Sequence, residues 1–265
     1  MNMVPWLVLP TYNEAENIEA MLAAAGDALA GACPDEGFFV LVVDDGSPDG
    51  TGEIADRVAA EQSWVKVLHR TNKEGIGPAY LAGFRHALSE GAGWVMEMDC
   101  DFSHDPADLP RLLKATAEGS ADGGADLALG SRYVRGGGVT DWGLLRRFIS
   151  YGGSTYARIV LGLSVRDLTG GFKCFRREVL EAIDLDSVRA QGYAFQVELT
   201  YRAVKAGFVV KEVPIVFRDR EIGTSKMSWR ITTEAAWLVP QLRFGKAHDP
   251  QPKAADSDPK TPALH

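Results

Sequence analysis

The chain has 265 residues, of which 46% are hydrophobic and 24% are charged, and this composition predicts a globular protein with a sizeable core. Its formal net charge of -8 argues against a general nucleic-acid binder. The sequence contains no uninterrupted apolar run of roughly 18 residues and no basic segment before its short N-terminal apolar stretch, so it predicts neither a transmembrane span nor a signal peptide.

Short apolar runs alternate with helical patterns in the first half of the chain. The predicted strands are Trp6–Pro10, Phe38–Val43, Val65–His69, Trp94–Met98 and Leu127–Leu129. The predicted helices lie near Ala15–Leu29, Gly52–Gln62, Pro78–Glu90 and Ala107–Glu118, and Asn13 with Glu16 predicts a capping box for the first. Near-continuous apolar strands between helices indicate an α/β domain whose mostly parallel sheet is covered on both faces.

Polar clusters follow three of the predicted strands, at residues 10–14, 44–51 and 99–103. Because ligands of such sheets bind at the carboxyl ends of the strands, we expect these clusters to form one site. Residues i and i+2 of an extended chain point to the same side, so Asp99 and Asp101 can face one divalent cation. Mg²⁺ of that kind takes its other ligands from water and substrate phosphates. The alternative is a solvated acidic turn before a helix that Asp105 caps and Pro106 begins.

The remaining polar residues of these loops allow two interpretations each. An aspartate at a strand end, such as Asp44 or Asp45, can accept a hydrogen bond from a base N–H or a ribose hydroxyl. An ordinary Gly/Pro/Asp turn explains the same residues. Lys73 either reaches a substrate phosphate or is a solvated surface lysine.

Residues 132–166 contain six arginines and one acid, and large apolar residues accompany the arginines between about 142 and 163. A similar apolar and basic segment lies at 229–244. Such helices are typical of a membrane interface, and the alternative is a helix packed on the core with its arginines at the edge. Residues 247–265 include four prolines and few large apolar groups, which predicts a disordered tail after a domain of residues 1–246.

Seven segments, taken in chain order, carry a family resemblance. They are PTYNE (10–14), DDGSPDGT (44–51), DCDFSHDP (99–106), GSRY (130–133), LTGGFKCFRR (168–177), FQVELTYRA (195–203) and REIGTSKMS (220–228). With these segments the chain resembles the family 2 glycosyltransferases of the A-type fold, and among them the dolichol- or polyprenol-phosphate mannose synthases. The resemblance implies inverting transfer of mannose from GDP-mannose to a polyprenyl or dolichyl monophosphate, with Mg²⁺ or Mn²⁺ as the cofactor.

The resemblance also implies roles for individual residues. The nucleoside pocket would comprise Pro10, Tyr12, Glu14, Asp44 and Asp45. The metal and diphosphate site would comprise Asp99, Asp101 and Ser103. Phosphate-binding cations would be Arg132, Arg220 and Lys226, with Lys73 as a further substrate contact and Lys173 near the acceptor. For Arg132, the alternative is a salt bridge to an aspartate at the rim of the site.

Many relatives carry transmembrane helices after this region, whereas this sequence continues into a polar tail. The resemblance therefore implies the subtype without such helices, bound peripherally at the cytoplasmic face of a membrane and relying on a membrane-protein partner or a fused membrane domain. The three distant cysteines match no zinc spacing or disulfide framework, which also predicts a reducing cytosol.

Two other functions stay open at this point. One keeps the fold and changes the substrate: a polyprenyl-phosphate glucosyltransferase using UDP-glucose, or a polysaccharide glycosyltransferase, although the chain lacks the Gln-x-x-Arg-Trp element of processive polymerases. The other is a non-catalytic subunit that binds a sugar nucleotide.

Overall fold

The computed structural model describes residues 4–219, except 36, 120, 122, 141, 189 and 191, together with residues 239–244. The strands are β1 (Pro5–Thr11), β2 (Phe39–Asp44), β3 (Val65–His69), β4 (Trp94–Glu97), β5 (Leu127–Ser131), β6 (Gly138–Val139), β7 (Lys173–Arg176), β8 (Val210–Pro214) and β9 (Val216–Phe217). The helices are α1 (Ile18–Ala32), α2 (Thr51–Glu61), α3 (Ile76–Ser89), α4 (Leu109–Ala117), α5 (Leu144–Leu161), α6 (Arg177–Ala182) and α7 (Gly192–Lys205). Short 3₁₀ turns lie at Pro106–Asp108 and Leu185–Ser187, and residues 239–244 are helical.

Within the described ranges, seven strands form one sheet in the order β3-β2-β1-β4-β7-β5-β8, and β6 pairs with β9. β1 to β4 run parallel to one another, as do β5 and β8, whereas β7 is antiparallel to β4 and β5. This confirms the predicted α/β fold with a mostly parallel sheet. The strand order runs outward from β1 to β3 and then continues with β4 on the other side of β1, so a topological switch point lies between β1 and β4.

Helices cover both faces of the sheet because successive strand residues point to opposite sides. One face packs against α3 and α7, with core residues that include Val8, Leu41, Tyr80, Phe84 and Phe195. The other packs against α1 and α4, with core residues that include Leu7, Val40, Met21, Leu22 and Leu112. Both faces of the central strands are therefore dry, as their continuous apolar runs predict.

The helix starts show one error and one success of local prediction. The capping box predicted at Asn13 and Glu16 is wrong: α1 begins at Ile18, after Asn17, and Asn13 adopts a left-handed φ of 59°. The chain needs this turn to leave β1, so the helix starts later. By contrast, the Asp105 carboxylate accepts a hydrogen bond from the backbone N–H of Ala107 at 3.0 Å, which confirms the predicted cap.

No helix within the described ranges combines the length and the apolar character that are needed to cross a bilayer.

Candidate active site

The candidate site lies at the carboxyl ends of β2, β1 and β4, the strands on either side of the switch point. Each of the three predicted polar clusters begins where one of these strands ends, and β1 is paired with both β2 and β4. In parallel sheets a crevice opens at such a point, since the connections on its two sides run to opposite faces. The backbone therefore brings the three loops to one edge of the sheet, and their function as one site stays a prediction.

Asp99 and Asp101 stand in the turn that follows β4. Asp99 is half-buried, and its Oδ1 accepts a hydrogen bond from the Tyr80 hydroxyl at 3.1 Å. Asp101 is buried, and its Oδ1 accepts a hydrogen bond from the backbone N–H of Ser103 at 3.1 Å. Phe102 has a left-handed φ of 57°, which folds the chain back between Asp101 and Ser103. The turn thus holds both carboxylates in fixed positions.

The donor atoms of this turn fit a hard divalent cation. Carboxylate oxygens are suitable ligands for Mg²⁺ and Mn²⁺. Ser103 Oγ is buried and has no hydrogen-bond partner among the described residues, so it is an unused oxygen in the same turn. Among all the described residues, no group of three His, Cys, Asp or Glu side chains is arranged to hold a metal ion by itself. A cation here would therefore take further ligands from water and a diphosphate, as Mg²⁺ usually does.

Asp44 and Asp45, at the end of β2, are both buried, and each organises a loop. Asp44 accepts hydrogen bonds from the backbone N–H of Ser47 at 3.2 Å and from the Ser47 hydroxyl at 2.5 Å, which closes its own turn. Asp45 pairs with Arg70. A carboxylate oxygen can accept more than one hydrogen bond, so contacts with a nucleoside can add to these. The nucleoside role of both residues stays a prediction.

Asp45 also anchors the start of α3. Its Oδ2 accepts hydrogen bonds from the backbone N–H groups of Glu74 and Gly75 at 3.1 and 3.2 Å. These are the residues directly before Ile76, where α3 begins. The turn after β2 is therefore tied to the N-terminus of α3.

The other predicted nucleoside residues surround the end of β1. The Lys73 ammonium lies 3.5 Å from the centroid of the Tyr12 ring, which is cation–π distance. Pro10 is half-buried and pairs with Val43 of β2. Glu14 is half-buried, and its carboxylate accepts a hydrogen bond from Asn17 Nδ2 at 2.8 Å.

Lys173 lies beneath the site rather than on its surface. Its side chain and that of Glu97 are 0% exposed, and Lys173 Nζ is 3.0 Å from Glu97 Oε1. The two residues face each other across β4 and β7, and Lys173 also contacts the Gln196 side chain. Burial lowers the pKa of Lys173 and raises the pKa of Glu97, while each charge opposes the shift of the other. In this conformation the Lys173 side chain reaches no solvent, and its predicted role near the acceptor stays a prediction.

Arg132 forms a buried, bidentate ion pair with Asp167. Its Nε and Nη2 donate to the two Asp167 oxygens at 2.7 and 2.6 Å, and Nη2 donates to Thr169 Oγ1 at 2.8 Å. The guanidinium also lies 5.6 Å from the Trp142 ring centroid. The salt bridge considered as the alternative for Arg132 is therefore present. Phosphate binding by Arg132 stays a prediction. In that prediction, Asp167 orients the guanidinium.

His104 packs behind the turn of Asp99 and Asp101 as a neutral side chain. Its ring lies 5.1 Å from that of Phe172 and 5.0 Å from that of Phe217. Burial lowers the pKa of His104 to about 4, so the imidazole adds no positive charge to the site near neutral pH. Its Nδ1 has no hydrogen-bond partner within the described ranges.

α5 matches both interpretations of its sequence. Its inner side is buried, with Ser154, Ala157 and Leu161 facing the protein. Its outer side exposes Phe148 by 76% and Ile159 by 70%, and the residues between them on the same stripe include Tyr151 and Tyr156. The helix therefore packs on the core and still presents an apolar stripe to solvent. A membrane role for that stripe stays a prediction.

The two arginines near the start of α5 differ in their surroundings. Arg146 pairs with Asp219 at 2.7 Å, and its guanidinium lies 4.3 Å from the Trp142 ring centroid. Arg147 is exposed and donates to the backbone carbonyl of Val139 at 3.3 Å. Arg146 therefore faces the same indole as Arg132, and only Arg147 is displayed on the surface.

Several sequence predictions fall outside the described residues. These are Arg220, Lys226, residues 229–238 of the second apolar segment and the tail at 247–265. In the described part of that segment, Val239 and Leu242 are buried with Leu161 of α5.

Sequence reasoning missed the residues that support the site from below: Tyr80, Glu97, Asp167 and Thr169. Glu97 could have been found from the sequence, because a glutamate within the apolar run Trp94–Met98 predicts a buried partner for its carboxylate. Nothing in the sequence alone pairs Tyr80 with Asp99, since the two residues come from separate elements.

A comparison with protein families matches residues 6–184 to the family described as Glycosyl transferase family 2. Among curated proteins, the chain is 49% identical over 234 residues to the polyprenol monophosphomannose synthase of Mycolicibacterium smegmatis, covering 88% of this chain and 84% of that protein. It is 48% identical over 240 residues to the undecaprenyl-phosphate mannosyltransferase of Micrococcus luteus, covering 91% and 93%.

Solved structures share the fold at lower identity. The mannosyltransferase PcManGT of Pyrobaculum calidifontis, in complex with GDP-Man and Mn²⁺, is 21% identical with a TM-score of 0.56, over 86% of this chain and 60% of that one. Mannosyl-3-phosphoglycerate synthase of Rubrobacter xylanophilus is 18% identical with a TM-score of 0.58, over 89% and 73%. At these identities the likeness concerns the fold alone, and it agrees with the predicted A-type glycosyltransferase architecture.

Proposed function

This chain belongs to glycosyl transferase family 2, and we propose that it transfers mannose from GDP-mannose to a polyprenyl monophosphate. The observation that carries the proposal is the turn of Asp99 and Asp101 at the switch point of the sheet, where it can hold a metal-bound diphosphate. The names of two relatives at 48–49% identity support mannose as the sugar and a polyprenyl phosphate as the acceptor.

In this proposal the donor lies across the carboxyl ends of β2, β1 and β4. The nucleoside would contact the loops of Tyr12, Glu14 and Asp45, and the diphosphate would meet the turn of Asp99 and Asp101. A bound Mg²⁺ or Mn²⁺ supplies Lewis-acid stabilisation of the departing diphosphate. The carboxylates of Asp99 and Asp101 would hold that ion, with Ser103 Oγ as a further oxygen in the turn.

The acceptor needs no strong general base. A phosphate monoester has a second pKa of roughly 6, so it is largely a dianion at neutral pH and is already a nucleophile. One of its oxygens forms a bond to the anomeric carbon while the bond from that carbon to the diphosphate breaks, and GDP leaves with the electron pair. Attack from the face opposite the leaving group inverts the anomeric centre, so an α-linked donor gives a β-linked mannosyl phosphate lipid.

Cations of the protein would hold the acceptor phosphate during this step. Arg132 and Arg146 lie on the same indole ring, that of Trp142, with guanidinium carbons 5.6 and 4.3 Å from its centroid. Each is fixed by an aspartate, Asp167 and Asp219 respectively. Preorganised charges of this kind stabilise a transition state without rearranging. Arg220 and Lys226, outside the described residues, remain proposed as additional phosphate contacts.

The exposed stripe of α5 supports peripheral binding to a membrane, where a water-insoluble acceptor resides. An apolar stripe beside an exposed arginine is suited to the boundary between headgroups and acyl chains. The cysteines Cys33, Cys100 and Cys174 are buried and form no disulfide with one another, which fits the cytoplasmic side. A partner protein embedded in the membrane remains part of the proposal.

Membrane docking gives a direct prediction. Replacing Phe148 and Ile159 together by serine is expected to lower the fraction that sediments with anionic liposomes at least threefold, because the two most exposed residues of the apolar stripe are lost. Arg147→Glu is expected to act in the same direction and to lose its effect at high salt. The matched controls are Val209→Ser, on an exposed apolar residue elsewhere, and Lys114→Glu, on an exposed cation of α4. Unchanged sedimentation of both α5 variants would remove the docking role from this helix.

The donor is tested by thermal shift and by transfer. With Mn²⁺ present, GDP-mannose at about 100 times its Kd is expected to stabilise the protein by about 2.7 kcal/mol, which is several degrees in Tm, whereas UDP-glucose and UDP-GlcNAc leave the Tm nearly unchanged. Labelled mannose should then pass from GDP-mannose to undecaprenyl phosphate, and EDTA should stop the transfer. Stabilisation and turnover with UDP-glucose instead would assign the glucosyltransferase alternative, and binding without any turnover would assign the non-catalytic one.

A further inference from the structure

Tyr80 lies within α3 and connects this helix to the turn of Asp99 and Asp101. Its hydroxyl donates a hydrogen bond to Asp99 Oδ1 at 3.1 Å. Its ring is fully buried, stacked parallel to Phe195 with centroids 6.0 Å apart, and it contacts Phe84. The hydroxyl is therefore the polar end of a side chain that packing holds in one place.

α3 is itself held at its start and along the face that packs on the sheet. At its start, the backbone N–H groups of Glu74 and Gly75 donate to Asp45. Further along, Gly83 allows the helix to touch β1, because a Cβ at this position would lie only 2.4 Å from Val8 Cγ1. The two residues just before α3 thus contact Asp45, and Tyr80, in the first turns of the helix, contacts Asp99.

We propose that Tyr80 is a positioning residue for the transfer reaction, which fixes the orientation of the Asp99 carboxylate and so sets the affinity of the site for its divalent cation. The inference rests on the metal role proposed for Asp99. A carboxylate ligand that accepts a hydrogen bond from a rigid neighbour cannot turn away from the ion, and loss of such a partner commonly costs tenfold to a hundredfold in metal affinity. Because α3 also holds Asp45, the same helix keeps the nucleoside and metal halves of the site in register.

The test measures metal binding rather than activity. Mn²⁺ is titrated into the protein in the presence of GDP, and free Mn²⁺ is followed by electron paramagnetic resonance. Tyr80→Phe removes only the hydroxyl and keeps the ring that packs on Phe195. We expect the Kd for Mn²⁺ to rise by about tenfold or more, with KM for GDP-mannose and kcat returning to within about twofold of the wild-type values once Mn²⁺ is supplied at saturating concentration.

The matched control is Tyr201→Phe. Tyr201 is also buried in α7, and its hydroxyl has no hydrogen-bond partner in the part of the chain that the structure describes. This variant makes the same chemical change, so it should leave the Kd for Mn²⁺ within twofold of the wild type. The proposal is overturned if Tyr80→Phe binds Mn²⁺ as the control does, because the hydroxyl then has no effect on the metal site. It is also overturned if Tyr80→Phe no longer folds, because the hydroxyl then contributes to the stability of the core alone.

A double-mutant cycle separates action through Asp99 from any other route. In the Asp99→Ala background, which lacks the acceptor of the Tyr80 hydrogen bond, Tyr80→Phe should add less than about twofold to the Kd for Mn²⁺. A full tenfold effect in that background would mean that Tyr80 acts without Asp99 and would overturn the proposal. Failure of the proposed function would be visible separately, because the wild type would then show no GDP-dependent Mn²⁺ binding at all.

Discussion

Replacing Asp101 by asparagine is expected to lower kcat for mannosyl transfer by about a hundredfold to a thousandfold, with little change in fold. The buried Asp101 accepts the backbone N–H of Ser103 through Oδ1, and an asparagine oxygen can accept the same hydrogen bond. The turn should therefore keep its shape, and the change removes the charge that would bind the cation. Loss of charge stabilisation at a leaving group has effects of this size. The measurement is single-turnover transfer from GDP-mannose at saturating Mn²⁺.

Asp35→Asn is the control for this experiment, because Asp35 is an exposed aspartate in the turn between α1 and β2, at the opposite end of β2 from the site. It should transfer mannose at the wild-type rate. Both variants should melt within a few degrees of the wild type. An Asp101→Asn enzyme with nearly full activity would show that this carboxylate does not hold the metal.

Replacing Lys173 by methionine is expected to destabilise the protein by about 3–5 kcal/mol, because it leaves the Glu97 carboxylate buried without its counter-ion. Both side chains are 0% exposed, so no solvent can replace the lost partner. Glu97 Oε2 already lacks a hydrogen-bond partner in the described structure, which leaves the lysine as its main source of stabilisation. For a domain of this size the loss corresponds to a fall in Tm of roughly 6–20 °C, measurable by calorimetry.

Two further variants separate the buried charge from simple loss of a lysine. Lys114→Met removes an exposed lysine of α4 and should change stability by less than about 0.5 kcal/mol. Glu97→Leu combined with Lys173→Met removes both charges and should recover most of the stability lost in the single variant. If the double variant is no more stable than Lys173→Met, then packing around Lys173 rather than the unpaired carboxylate explains the loss.

The first half of the fold could be predicted from the sequence because its strands are apolar on both faces. The predicted Val65–His69 agrees with β3 at both ends, and the other predicted strands agree within two residues. β7 was not predicted, since its four residues include Lys173 and Arg176 and carry no strand periodicity. Its antiparallel pairing with β4 and β5 is decided by tertiary contacts, and the lysine is tolerated there because Glu97 lies opposite it.

The candidate site could likewise be predicted from the sequence only in part. The turns that end β1, β2 and β4 follow from local sequence, so Tyr12, Asp44 and Asp99 could be named in advance. The partners that orient them could not, because Arg70, Tyr80 and Asp167 come from other elements and meet the site only through the packing of the sheet. The ion pair of Arg132 with Asp167 shows the difference clearly: Arg132 could be named from the sequence, whereas its pairing with Asp167 depends on how two distant loops fold together.

A crystal structure with GDP and Mn²⁺ tests the central claim most directly, because anomalous scattering locates the metal without reference to the protein. We predict one Mn²⁺ peak in the turn after β4, within bonding distance of the Asp99 or Asp101 carboxylate and of the diphosphate oxygens. A nucleotide bound with its diphosphate elsewhere, and Mn²⁺ away from both aspartates, would contradict the account.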